Sequence, residues 1–181
     1  MTDNNLNLDE IDLKLISLLK EDPNLTHTQI AEIVNRSQPT VGARLKKLKR
    51  KGILQIQAGF NFKKLNIHLA LVNLNTKNPN EIMEMVEYCP FMLNAFRIVG
   101  KNNITILLVN TKIKKIERIV NHHFRNNPQI LEVSMDIITD ITKDLILPIN
   151  ADSEILKPIL EDGCDANCKY CKFKKIMRYN T

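Results

Sequence analysis

Tryptophan is absent from this 181-residue chain, and aromatic residues of all kinds make up only 5% of it. Core packing therefore has to rest on Ile, Leu and Val. Also missing is any apolar run approaching the roughly 20 residues that span a bilayer, so no membrane helix is expected. The opening residues, MTDNNLNLDE, have neither a basic leader nor an apolar stretch, and no secretory signal is read there. These absences predict a soluble, cytoplasmic protein with no membrane partner. In that compartment the four cysteines read as metal ligands or redox groups before structural disulfides. What is present is ordinary for a globular chain: a hydrophobic fraction of 44%, enough for one large domain or two small ones. The net charge of +6 suits a polyanionic partner.

A further absence is local. Residues 36–51 hold seven basic side chains and no acidic one. Within this stretch Val41, Leu45 and Leu48 recur at spacings of four and three, which is one face of a helix. Ser37 is expected to cap the helix, Pro39 suits its first turn, and Gly52 ends it. The other side carries Gln38, Thr40, Ala43, Arg44, Lys47 and Lys51. It is polar at its start and cationic further along. A helix that reads a DNA major groove needs this layout, with base-reading groups near its N-terminus and phosphate partners around them.

The preceding residues supply the rest of such a motif. Leu8, Ile11, Leu15, Leu18 and Leu19 share one helical face that Pro23 terminates. Thr26 and Gln29 form a capping-box pattern ahead of Ile30, Ile33 and Val34, so a short second helix is expected over residues 28–34. A turn at Asn35 and Arg36 then leads into the basic helix, which makes a helix-turn-helix. Beyond Gly52 the alternation of ILQIQAGFNF predicts a strand or small wing. His27 reads as a solvated first-turn residue.

Downstream, strands are expected over residues 67–75, 94–99, 104–110 and 130–139. Helices opening at Asn78-Pro79 and spaced by Ile113, Ile116, Ile119, Val120 and Phe124 fall between them. The order is βαββαβ, a ferredoxin-like unit. His122 and His123 are adjacent, so on a helix they diverge and read as a solvated helix end. The fold class is thus α+β: a winged helix-turn-helix domain over residues 1–62, a ferredoxin-like domain over 63–148, and a cysteine-containing tail over 149–181.

The matches Leu8-Asp9, Asp12, Ile30-Ala31, Ser37, Thr40-Val41, Arg44, Leu48 and Gly52-Ile53-Leu54 together resemble the DNA-binding half of the Lrp/AsnC regulators. The βαββαβ order extends that resemblance over roughly residues 8–145. It implies a transcription regulator and not an enzyme, bound to double-stranded operator DNA as a homodimer, tetramer or octamer. The implied DNA-binding residues are Ser37, Gln38, Thr40, Ala43, Arg44, Lys46, Lys47 and Arg50. The family's small-molecule effector site implies Gly100, Asn102 and Asn103. Asn102 and Asn103 stand where an acidic residue commonly follows the turn glycine, and an amide cannot meet an amino group by charge.

The tail goes beyond that family. Residues 153–161 read as a short helix, after which come Cys164, Cys168 and Cys171. Their C-x-x-x-C-x-x-C spacing, with Tyr170 before the last, resembles the cluster motif of radical S-adenosylmethionine enzymes. Only ten residues follow Cys171, too few for such an enzyme, so what carries over is the capacity to hold an iron–sulfur cluster. A 4Fe–4S cluster, a zinc site, and a thiol–disulfide switch or metal-free tail are the competing readings, and Cys89 is a candidate fourth ligand. A cluster would sense redox state, oxygen or iron. Lys172, Lys174, Lys175 and Arg178 are open to three readings: they lower the thiolate pKa values and offset a cluster's charge, they touch DNA, or they stay disordered.

Overall fold

The structure, a computed structural model, describes residues 8–147. The chain forms two compact units, the first ending at Ala58 and the second beginning at Gly59.

Three helices make the first unit: α1 (Glu10–Glu21), α2 (His27–Val34) and α3 (Gln38–Arg50). Asp9 caps α1, its Oδ1 accepting from the Asp12 amide at 2.9 Å. The helix stops one residue short of Pro23, where Asp22 is already extended. At the start of α2 the capping box is complete: Thr26 Oγ1 accepts from the Gln29 amide and Gln29 Oε1 from the Thr26 amide. Asn35 takes a left-handed conformation (φ 51°) and turns the chain directly into α3. Gly52 (φ 69°) then ends α3 in the conformation that glycine adopts without strain. Leu15, Leu19, Ile30, Ala31, Val34, Val41, Leu45, Leu48 and Leu54 close the core, as expected for α1 and α3, whereas Ile33, expected on the apolar face of α2, is exposed because Ala31 takes the buried place.

The expected strand after Gly52 is a point of difference. Residues 53–59 form no strand, and Ile53 and Leu54 pack on the three-helix core instead. Only β1 (Phe60–Asn61) is extended and paired, and its partner is β6 (Ile146–Leu147). Alternation makes a strand only where a neighbour completes the ladder, and that neighbour lies at the far end of the described chain.

In the second unit the order is β2 (His68–Thr76), α4 (Pro79–Tyr88), β3 (Met92–Arg97), β4 (Ile104–Asn110), α5 (Ile113–Val120) and β5 (Ile130–Ile138). A wider turn, Asn121–Arg125, continues α5. The four long strands form an antiparallel sheet in the order β3-β4-β2-β5, the ferredoxin-like arrangement expected. Ala70, Val72 and Leu74 on β2 and Ile104, Ile106 and Leu108 on β4 are buried in one core with Ile82 of α4 and Ile116, Ile119 and Val120 of α5. The alternate residues of these strands, Leu71, Asn73, Thr105 and Leu107, are half-buried, and Phe96 of β3 is exposed.

A Cβ added to Gly59 would stand 2.7 Å from the Leu147 carbonyl oxygen and 2.9 Å from its carbonyl carbon. Backbone cannot step aside as a side-chain tip can. Gly59→Ala is therefore expected to lower unfolding free energy by about 1–3 kcal/mol, the usual cost of overpacking, as measured by urea denaturation. An unchanged midpoint would show that the β1–β6 pairing is dispensable.

Candidate nucleic-acid interface

Helix α3 is fixed in rotation by Val41, Leu45 and Leu48, all at 3% exposure or less. That leaves Gln38, Thr40, Ala43, Lys46, Lys47 and Arg50 exposed on the solvent side. Ser37 occupies the N-cap position, but its side chain does not cap a backbone amide as expected. Its hydroxyl lies 2.7 Å from the Thr40 hydroxyl, so the two oxygens form a small polar group at the helix start. Gly42 faces His27, whose Nδ1 lies 3.4 Å from where a Cβ would be.

Arg44 departs from its neighbours. Its Nη1 donates to Asp9 Oδ2 at 2.6 Å and to Asp12 Oδ1 at 2.9 Å, which ties α3 to the start of α1. Asp12 is buried, whereas Asp9 is half-exposed at its side chain. The Asp9 carboxyl is held below the usual range, first by the Asp12 amide that it caps and then by the Arg44 guanidinium. The same hydrogen bond from Arg44 to Asp9 leads the causes that raise the Arg44 pKa. In the sequence these aspartates stand out only as matches to a family pattern. Their available signal is the i, i+3 spacing of two acids at the head of an apolar helix.

At the turn between β3 and β4 the expected effector residues have separate tasks. Asn103 is engaged by the end of β2: its Oδ1 accepts from the Thr76 amide at 3.0 Å and its Nδ2 donates to the Thr76 carbonyl at 2.7 Å. Gly100 is exposed, with nothing within 4 Å of an added Cβ, and Asn102 is half-buried. An exposed ion pair of 2.6 Å joins Lys101 to Glu132 of β5 across this end of the sheet.

Cys89 ends α4 and is buried in the apolar core with Phe91 and Met92. Cys164, Cys168 and Cys171, with the short helix expected before them, lie outside the described residues. Among the described residues no group of three or more His, Cys, Asp and Glu is arranged to hold a metal ion. The His122 and His123 rings meet edge to face, their centroids 4.7 Å apart. No helix among the described residues is long and apolar enough to cross a membrane.

Residues 8–55 match a family of winged helix-turn-helix DNA-binding domains. The chain is similar to the solved structure of AsnC of E. coli, with a TM-score of 0.67 at 15% identity, covering 75% of this chain and 95% of that one. LrpC of B. subtilis gives a TM-score of 0.64 at 23% identity, with 75% and 97% covered. The chain has the Lrp/AsnC fold. An HTH-type transcriptional regulator of Pyrococcus horikoshii is 25% identical over 141 residues, which are 75% of this chain and 95% of the relative. The matched residues 8–55 take in α1, α2 and α3, so the first unit carries the helix-turn-helix DNA-binding match.

Removing the Asn103 amide would take these partners from the N–H and C=O of Thr76, a buried residue. Asn103→Ala is expected to destabilise the protein by about 1–3 kcal/mol, the cost of unsatisfied buried polar groups. Amide exchange at Thr76 measures it, and full protection in the variant would show that water replaces the side chain.

Proposed function

We propose that the protein is a DNA-binding transcription regulator, working as a homodimer or a larger ring of dimers. The observation that carries this reading is the solvent face of α3, which combines polar groups at its N-terminus with cations further along. Gln38, Thr40 and Ala43 are assigned to base edges, and Lys46, Lys47 and Arg50 to phosphates. The HTH-type transcriptional regulators among its relatives support the same class. In a dimer the two recognition helices would read half-sites about 34 Å apart, one turn of duplex.

The finer part of the proposal concerns control. Three cysteines within eight residues at positions 164–171 are a donor set suited to an iron–sulfur cluster, in the first instance 4Fe–4S. Such a cluster supplies sensitivity to redox state, oxygen or iron when bound. Its gain or loss would shift DNA affinity by about 1–3 kcal/mol, a typical coupling between sites. A small-molecule effector held near Gly100, Asn102 and Asn103 is less well supported, because Asn103 is already committed to Thr76.

Salt dependence tests the DNA reading. Lys47→Ala and Arg50→Ala are each expected to reduce the log–log salt slope of duplex binding by about 0.9, one phosphate contact apiece. Slopes equal to that of the unaltered protein would remove both residues from the interface.

Anaerobic purification tests the tail. The intact protein is expected to be coloured and to carry iron, and Cys164→Ser to lose the iron together with its redox-dependent change in DNA affinity. A colourless protein containing zinc would favour a structural clasp. Iron content and affinity both indifferent to Cys164→Ser would end the sensing proposal.

A further inference from the structure

We infer that Arg44, although on the recognition helix, is a positioning residue that holds the helix in register for DNA and does not itself contact DNA. This rests on the DNA-binding reading of α3 and deepens it. Arg44 sits one helical turn after Thr40 and three residues before Lys47, so these three neighbour one another along α3. Its guanidinium faces back toward α1 and satisfies Asp9 and Asp12, 35 and 32 residues earlier in the chain.

Charge argues against a phosphate at this point. One guanidinium stands between two carboxylates, so the cluster as a whole is an anion. A phosphate drawn to Arg44 would meet two like charges, one of them on a buried residue that cannot swing away. Lys46, Lys47 and Arg50 form no ion pair with a carboxylate among the described residues, and they are exposed to solvent. The cations of α3 thus divide into outward ones that attract the duplex and an inward one that sets the angle at which they are offered.

Geometry explains why that division matters. The apolar stripe fixes rotation of α3 through side chains that tolerate small slips, whereas an ion clasp with defined hydrogen bonds is directional. Base edges are read by hydrogen bonds whose strength falls steeply with misalignment. Losing the clasp should therefore weaken recognition of sequence more than attraction to the backbone.

The test uses the full-length protein and two duplexes: one enriched by it from a randomised pool, and a scrambled duplex of the same length. Arg44→Met removes the clasp. Asp9→Asn weakens it while keeping an oxygen to cap α1, and guards against a fold lost in the first variant. Both are compared with the unaltered protein below their own melting temperatures. The ratio of selected to scrambled affinity is expected to fall about tenfold for Arg44→Met, the scale of one good base contact, and several-fold for Asp9→Asn. The salt slope on the scrambled duplex should not change.

Two results would overturn the inference. Arg44→Met could weaken both duplexes alike with a slope lower by about 0.9 while Asp9→Asn tightens binding, which is the behaviour of a phosphate contact. Alternatively, both variants could melt earlier yet keep the affinity ratio, which would make the clasp structural only. Failure of the unaltered protein to enrich any duplex is a separate outcome, and it would overturn the DNA reading and this inference with it.

Discussion

Burial of Val41, Leu45 and Leu48 decides which way α3 turns its charge. Each apolar side chain removed from water contributes roughly 1.5–3 kcal/mol, so α3 has one rotation that closes its core and others that would open it. In that rotation the lysines lie in water at no desolvation cost. The cationic face is therefore a consequence of the core, and no attraction to DNA is needed to hold it outward. The ion clasp of Arg44 with Asp9 and Asp12 acts on top of this constraint. The Asp9 arm of the clasp is half-exposed, where ion pairs are screened and add little to stability, so that arm acts chiefly on direction.

The second unit repeats the division between what a core enforces and what a polar contact refines. One sheet face is sealed by α4 and α5, mostly through aliphatic side chains, with Phe62, Phe91 and Phe124 buried among them. The turn after β3 is held by the side-chain amide of Asn103, which pairs with Thr76 as a strand peptide would, and by backbone hydrogen bonds from the Ile98 amide to the Asn103 carbonyl and from the Asn103 amide to the Leu74 carbonyl. An asparagine used in this way is no longer a flexible ligand group. Its commitment explains why family position alone is a weak guide to an effector site here.

Most of the fold could be read from the sequence because its determinants are local. The stripe of α3, the Thr26–Gln29 capping box and the Asn78 cap each lie within a few residues, and the elements formed with ends shifted by only a residue or two. Strand β3 shows the limit. Its apolar run was expected to extend to Val99, but the strand ends at Arg97 and Val99 is fully exposed. Periodicity records side-chain chemistry and does not say where the ladder stops. The shortening of the expected strand after Gly52 to β1, the partners of Arg44 and the partner of Asn103 share another cause. Each depends on residues 27 or more positions away, brought close only by folding.

These constraints bear on where regulation could act. Within the first unit, α3 is held by an apolar core and by a clasp, so turning it to disable recognition would mean breaking both. Between β3 and β4, the turn is pinned by two hydrogen bonds to one residue. Neither element is a soft hinge. A signal that changes DNA affinity by about 1–3 kcal/mol is small beside the cost of repacking such a core, and it would act more readily on how copies are held together or on charge brought near the duplex. The cysteines of residues 164–171, proposed above as cluster ligands, are followed in the sequence by the positive charges of Lys172, Lys174 and Lys175. That combination makes control by the tail physically economical: it would adjust the approach to DNA while leaving the reading helix as the core made it.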